Sequence, residues 1–144
     1  MNLTKQNDIR EVCAPVAAAN NTDQNSDRVD TSGFDSVTFI VPITDSVATG
    51  VATMTIEENE SDSDTGMEAI TNAVATATCA VNDDLNGQLL VVEVKRPTAR
   101  YVQCVLTSET ANIAFGNVIA ILSEPRTKPT TEHSTIADMT LVVN

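Results

Sequence analysis

Apolar and polar residues alternate along much of this chain with a period of two, the spacing of a strand whose faces meet different surroundings. Over residues 34–43, Val37, Phe39, Val41 and Ile43 share one face, and Ile40 on the other indicates that this second face is partly covered. Residues 44–50 read as a turn. Residues 51–57 set Ala52, Met54 and Ile56 against Thr53, Thr55 and Glu57, a second strand with one wet face. A short apolar segment at 67–70 precedes an Ala/Thr/Val run at 73–81, a more weakly patterned strand. Asn82 to Gly87 closes on Asn-Gly, a strong turn signal. Residues 88–95 carry Leu89, Leu90, Val91, Val92 and Val94. Pro97 breaks the pattern, and residues 100–107 resume it with Val102, Cys104 and Leu106 on one face. Residues 113–122 are apolar on both faces apart from Asn117, the signature of a central strand or of one lying against a partner.

The flanks differ. Val12, Ala14, Val16 and Ala18 are spaced for one edge strand that Pro15 confines to a sheet margin or a bulge. A polar stretch, Asn20 to Ser32, follows and ends at Gly33, which is loop chemistry. Beyond Leu122 the chain turns to Thr and Pro, with Leu141, Val142 and Val143 able to dock as a last short strand. These features predict one all-β domain, a β-sandwich of Greek-key or jelly-roll kind at 34–122. An extended N-terminal arm at 1–33 and an extended C-terminal tail at 123–144 flank it. No helix of convincing length and no internal repeat are predicted.

Composition sharpens this picture. The 144 residues include 17 Val and 20 Thr, both β-branched and suited to a pleated surface, with one Tyr, three Phe and no Trp. The net charge is −12, of which −9 falls on residues 1–66. Nucleic-acid binding relies on Lys and Arg neutralising phosphates, so this chain is poorly equipped for it. Excess negative charge instead keeps an abundant protein soluble and suppresses non-specific association. Three cysteines cannot close a disulfide framework, and Cys79 and Cys104 sit in apolar runs as small buried hydrophobes. Residues 1–10 are polar and resemble no signal peptide, and no apolar stretch approaches the ~18 residues of a membrane helix. Synthesis in the cytoplasm is therefore expected.

Candidate chemistry is sparse. The single His, His133, lies in the Thr/Pro tail, away from any recognisable nucleophile, and no Gly-rich phosphate loop or Cys-x-x-Cys motif is present. Asp83 and Asp84 sit in a turn, where solvation explains them better than acid–base work. The acidic stretch 57–66 offers the best metal frame, with Glu60, Asp62 and Asp64 at alternate positions. Thr65 stands where a Ca²⁺ loop needs Gly, and Thr71 where it needs Glu, so an exposed, self-repelling loop is expected instead. No catalytic residue, cofactor or metal site is therefore predicted. One basic cluster remains, Lys95, Arg96 and Arg100 with Tyr101 beside them. It reads either as a solvated hairpin connection or as a docking element whose arginines grip carboxylates.

Four segments taken together carry a resemblance. They are Thr-Asp-Gln-Asn-Ser-Asp at 22–27, Gly-Phe-Asp-Ser-Val-Thr-Phe-Ile-Val at 33–41, the Ser/Asp-rich loop at 60–66, and Lys-Arg-Pro-Thr-Ala-Arg-Tyr-Val at 95–102 leading into a Pro/Thr tail. In this the chain resembles small structural proteins of tailed bacteriophages, capsid decoration (cement) proteins among them. The resemblance implies a virion component on the outer capsid surface. Its partner would be the major capsid protein, and it would self-associate around a symmetry axis, with neither nucleic acid nor membrane as partner. A head–tail connector or tail component is the neighbouring alternative. A receptor- or carbohydrate-binding sandwich is another, though it would normally show aromatic platforms or Ca²⁺ loops.

Overall fold

The computed structural model describes residues 2–143. Met1 and Asn144, the outer limits of the expected arm and tail, lie outside the described residues. A single helical turn, α1 (Leu3–Gln6), opens the chain, its first amides capped by Asn2 Oδ1. Strands follow: β1 (Asp8–Cys13), β2 (Val16–Ala19), β3 (Asp23–Asn25), β4 (Val29–Asp30), β5 (Phe34–Ser46) and β6 (Val51–Asn59). β7 (Glu68–Thr78), β8 (Leu89–Lys95), β9 (Tyr101–Glu109), β10 (Ile113–Phe115) and β11 (Val118–Pro125) complete the set.

All pairings are antiparallel. β11 and β10 pair successive stretches of one side of β5, and β1 and β2 pair β11 and β10 in turn, so each couple fills one lane. β8 takes the other side of β5. The first sheet thus runs β8, β5, β10/β11, β1/β2, and the second runs β3/β4, β9, β6, β7. With lanes numbered in chain order, these are 6-3-8-1 and 2-7-4-5. That is the order of a jelly roll, a hairpin ribbon wrapped into two sheets.

The core lies between the sheets, built from the inward residues that the period-two pattern marks. Val37, Phe39, Val41 and Ile43 of β5, Ala52, Met54 and Ile56 of β6, and Val102, Cys104 and Leu106 of β9 are all 0% exposed. Phe115 and Leu122 join them from the last lane. At roughly 25 cal/mol per Å² of apolar area removed from water, this face-to-face burial is the main stabilising term.

Four differences from the sequence reading have physical causes. Residues 8–30, expected as an extended arm, are part of the sandwich and bury Val12 and Val29: the edge strand expected around Pro15 is present as β1 and β2, and the expected loop at 20–32 carries β3 and β4. β3 is Asp-Gln-Asn with all three residues exposed, so backbone pairing with β9, and no apolar pattern, holds it. The strand expected at 113–122 divides at Gly116 and Asn117. A Cβ on Gly116 would lie 2.6 Å from Pro42 Cγ, so this close approach of lanes admits only Gly. β5 also continues through the expected turn to Ser46, where the Ser46 hydroxyl hydrogen-bonds Asn86 Oδ1 at 3.0 Å. Finally, residues 126–143 carry no regular structure and Leu141, Val142 and Val143 do not dock as a strand.

Candidate interaction surface

The basic cluster sits at one end of the sandwich, in the connection from β8 to β9. A groove of about 600 Å³ opens there, and Arg96, Arg100 and Arg126 line it together with the backbone around Gly33. The connection is fixed from below by Glu58 of β6, whose carboxylate accepts from Thr98 N at 2.9 Å and Ala99 N at 3.0 Å and also binds the Thr98 hydroxyl. Arg100 donates twice to Asp30, from Nε at 3.0 Å and from Nη2 at 2.7 Å, and its guanidinium lies 5.2 Å from the Tyr101 ring centre. This pairing holds the Asp30 carboxyl down at about 2 and raises the Arg100 pKa. Lys95 pairs with Glu124 at 3.1 Å and its pKa is raised accordingly, and Arg126 reaches Asp35 at 3.3 Å.

Among the described residues, Arg96 makes no ion pair. It also sits at φ +52°, a left-handed conformation that costs a non-glycine residue roughly 1 kcal/mol. Its N–H donates to Asp35 O at 2.7 Å, which anchors the turn and leaves the guanidinium over the groove. Of the four residues singled out from the sequence, then, Lys95, Arg100 and Tyr101 are engaged internally, and Arg96 keeps an uncommitted charge. The carboxylate partners were not legible, because Asp30 and Arg100 lie 70 positions apart in the chain. Arg126 was missed because nothing in a Pro/Thr tail distinguishes it.

The acidic loop has an internal counterion. Arg28 places Nε 2.6 Å from Asp62 Oδ1 and Nη1 2.6 Å from Asp64 Oδ1, and both contacts raise its pKa. Asn59 ties the loop further, donating to Ser63 O at 2.9 Å and Thr65 O at 3.0 Å. Two of the carboxylates in the imperfect Ca²⁺ frame are thus already paired. Among the described residues no three His, Cys, Asp or Glu converge as a metal set.

The outward face of the first sheet is apolar. Its rows read Leu89 beside Pro42, then Val91, Ile40 and Ile119, then Thr38, Ile121 and Ile9. Leu89 and Val91 are 57% and 49% exposed, and the others are half-buried. Glu93, Lys95 and Glu11 are the charges at its margins. In a chain of net charge −12, the centre of this face carries no charged side chain.

The remaining reactive groups are occupied locally. The Asp84 carboxylate accepts from Ala80 N and Val81 N at 3.0 and 3.2 Å, closing its turn, and its pKa is lowered, first by the Cys79 thiol and then by these amides. His133 Nδ1 faces the Thr135 hydroxyl and amide within the tail. All three cysteines are free. Burial raises the thiol pKa of each, that of Cys104 to about 12. The chain matches no protein-family model and no curated protein.

Proposed function

We propose that this chain is a structural, non-catalytic virion subunit of a tailed phage, a decoration (cement) protein that binds the outer surface of the capsid lattice. One observation carries the reading: the apolar, charge-poor outward face of the first sheet, spread over four lanes of an otherwise acidic protein. The fully buried centre of a protein interface is depleted in charge and ringed by polar groups. Large exposed apolar patches on soluble domains mark such interfaces. The groove with Arg96 borders this face on the β8 side and supplies a polar rim able to grip a carboxylate of the major capsid protein. Contacts that are weak singly become strong when repeated over a shell. A jelly roll serves many functions, so the fold lends analogy only, and the face and the sequence resemblance bear the weight.

The test is occupancy on particles. Quantitative mass spectrometry of purified virions should find this chain in numbers comparable with the major capsid protein. Substituting Ile40→Asp on the sheet face, or Arg96→Glu at its rim, should lower that occupancy while the isolated domain stays folded. A copy number far below that of the capsid protein, with the chain confined to the tail or the portal vertex, would transfer the assignment to a connector or tail component.

A further inference from the structure

Strand β8 is an unfinished edge. Its backbone bonds to β5 are bracketed by Ile43 N to Gln88 O at 2.9 Å and Arg96 N to Asp35 O at 2.7 Å, both at even-numbered positions of this segment. In an antiparallel ladder hydrogen-bonded and non-bonded pairs alternate, so Leu90, Val92 and Val94 complete the bonds to β5. The N–H and C=O groups of Leu89, Val91 and Glu93 therefore point away from the sheet. Among the described residues no strand of the sheet pairs with them. Edges of this kind are usually shielded by covering, bulging or proline, because they template pairing with another chain. Here the outward side chains include Leu89 and Val91, both exposed.

The chain carries a segment suited to that edge. Leu141, Val142 and Val143 are 46%, 72% and 85% exposed, a strand-forming run left largely in solvent. The tail that bears them leaves along the opposite margin of the same sheet. Thr130 donates from N to Lys5 O at 3.1 Å and from its hydroxyl to Asn7 O at 2.7 Å, and the Thr135 hydroxyl accepts from Glu11 N at 3.1 Å. From a tail beside β1, a strand added beyond β8 lies about five strand spacings away, roughly 24 Å. Residues 136–143 fully extended reach about 27 Å, which leaves nothing to run along β8. The segment cannot serve its own copy.

We propose that residues 139–143 of one copy add as a strand to the β8 edge of a second copy. Leu141 and Val143 would then lie on one face of the added strand and Val142 on the other, so at least one apolar side chain turns toward the core whichever face is inward. Donor and acceptor lie on opposite margins of one sheet, so the contact is heterologous. Each copy gives one strand and receives one, and the assembly closes as a ring or grows as a chain. Strand addition of this kind needs no capsid and is tested without particles.

The experiment is native mass spectrometry and light scattering on the full chain over a wide concentration range. Masses should appear at multiples of the chain mass, and amide exchange at Leu89, Val91 and Glu93 should slow as they form. Deleting 138–144, or introducing Leu141→Asp with Val143→Asp, should weaken self-association by about a hundredfold or more. Val91→Pro should do the same from the acceptor side, because it removes only an outward N–H and leaves the β5 ladder intact. Circular dichroism should show all three variants folded. A full chain that stays monomeric at every concentration would overturn the proposal, including the case in which only another protein's strand occupies β8. So would an oligomer that survives both the tail deletion and Val91→Pro.

Discussion

Phe39→Ala tests the packing on which everything else rests. Phe39 lies at the middle of β5, opposite Ala120 on one side and Val92 on the other, with no exposed surface. Removing the ring forfeits about 100 Å² of buried apolar area, or ~2.5 kcal/mol at 25 cal/mol per Å². The lane of Ala120 is itself paired on its far side with β1, so the site collapses only in part. A residual void of ~50 Å³ adds about 1 kcal/mol at ~24 cal/mol per Å³. The total, near 4 kcal/mol, falls in the range of roughly 3–5 kcal/mol usual for buried Phe. In urea, with a slope of about 2 kcal/mol per molar, the unfolding midpoint should drop by about 2 M at unchanged slope. Val91→Ala, next door to Val92 but facing outward, should stay within about 0.5 kcal/mol of the parent. A loss below about 1 kcal/mol for Phe39→Ala would mean that Phe39 does not face the core. The strand register would then be wrong by one residue, since a single-residue slip exchanges the two faces.

Further outcomes follow from the charged and thiol groups. Arg28→Ala should accelerate proteolysis within 60–66 yet leave overall stability little changed, as exposed ion pairs do; unchanged cleavage would show that Asn59 alone holds the loop. Millimolar Ca²⁺ should leave the melting temperature where it is, and a rise reversed by chelator would show a site formed despite Arg28. The Asp30 carboxyl is held at about 2, below an unfolded value of ~3.9, so its stabilisation is present above pH 4 and is lost as pH falls toward 2. Both partners are substantially exposed, so solvent screening keeps the effect small. Arg100→Ala should therefore lie slightly below the parent at neutral pH and converge with it in acid, and a constant gap would refute the linkage. Under native conditions at neutral pH, Cys79 and Cys104 should resist alkylation while half-buried Cys13 reacts slowly; rapid labelling of Cys104 would contradict its burial.

The sandwich was legible because its inner faces obey a strict alternation, and Val37, Phe39 and Val41 point where that alternation places them. The edge lane of β1 and β2, interrupted at Pro15, was legible in part, and the lane of β3 and β4 was not. β3 has no apolar residue, and β4 contributes only Val29, so neither has a period to read. Such strands exist because β9 offers them a partner, a long-range fact that local pattern does not carry. Gly116 was similarly silent, since its role depends on Pro42 in another lane. At the arginine-lined end, the sequence marked the cations and missed the anions that consume most of them, for pairing across lanes is set by topology. The apolar outward face was half visible: Ile40 stood out on the face opposite the core, but its alignment with Val91, Ile119 and Ile121 needed the register.

The most direct test of the cement role is the heat stability of filled particles with and without this chain, followed by the release of DNA to a fluorescent dye. Bridging subunits adds buried area across joints that internal DNA pressure pulls apart. Particles lacking the protein should therefore assemble normally and release DNA at a distinctly lower temperature, with purified protein added back restoring the original value. Particles that release DNA at the same temperature in both forms would contradict the account.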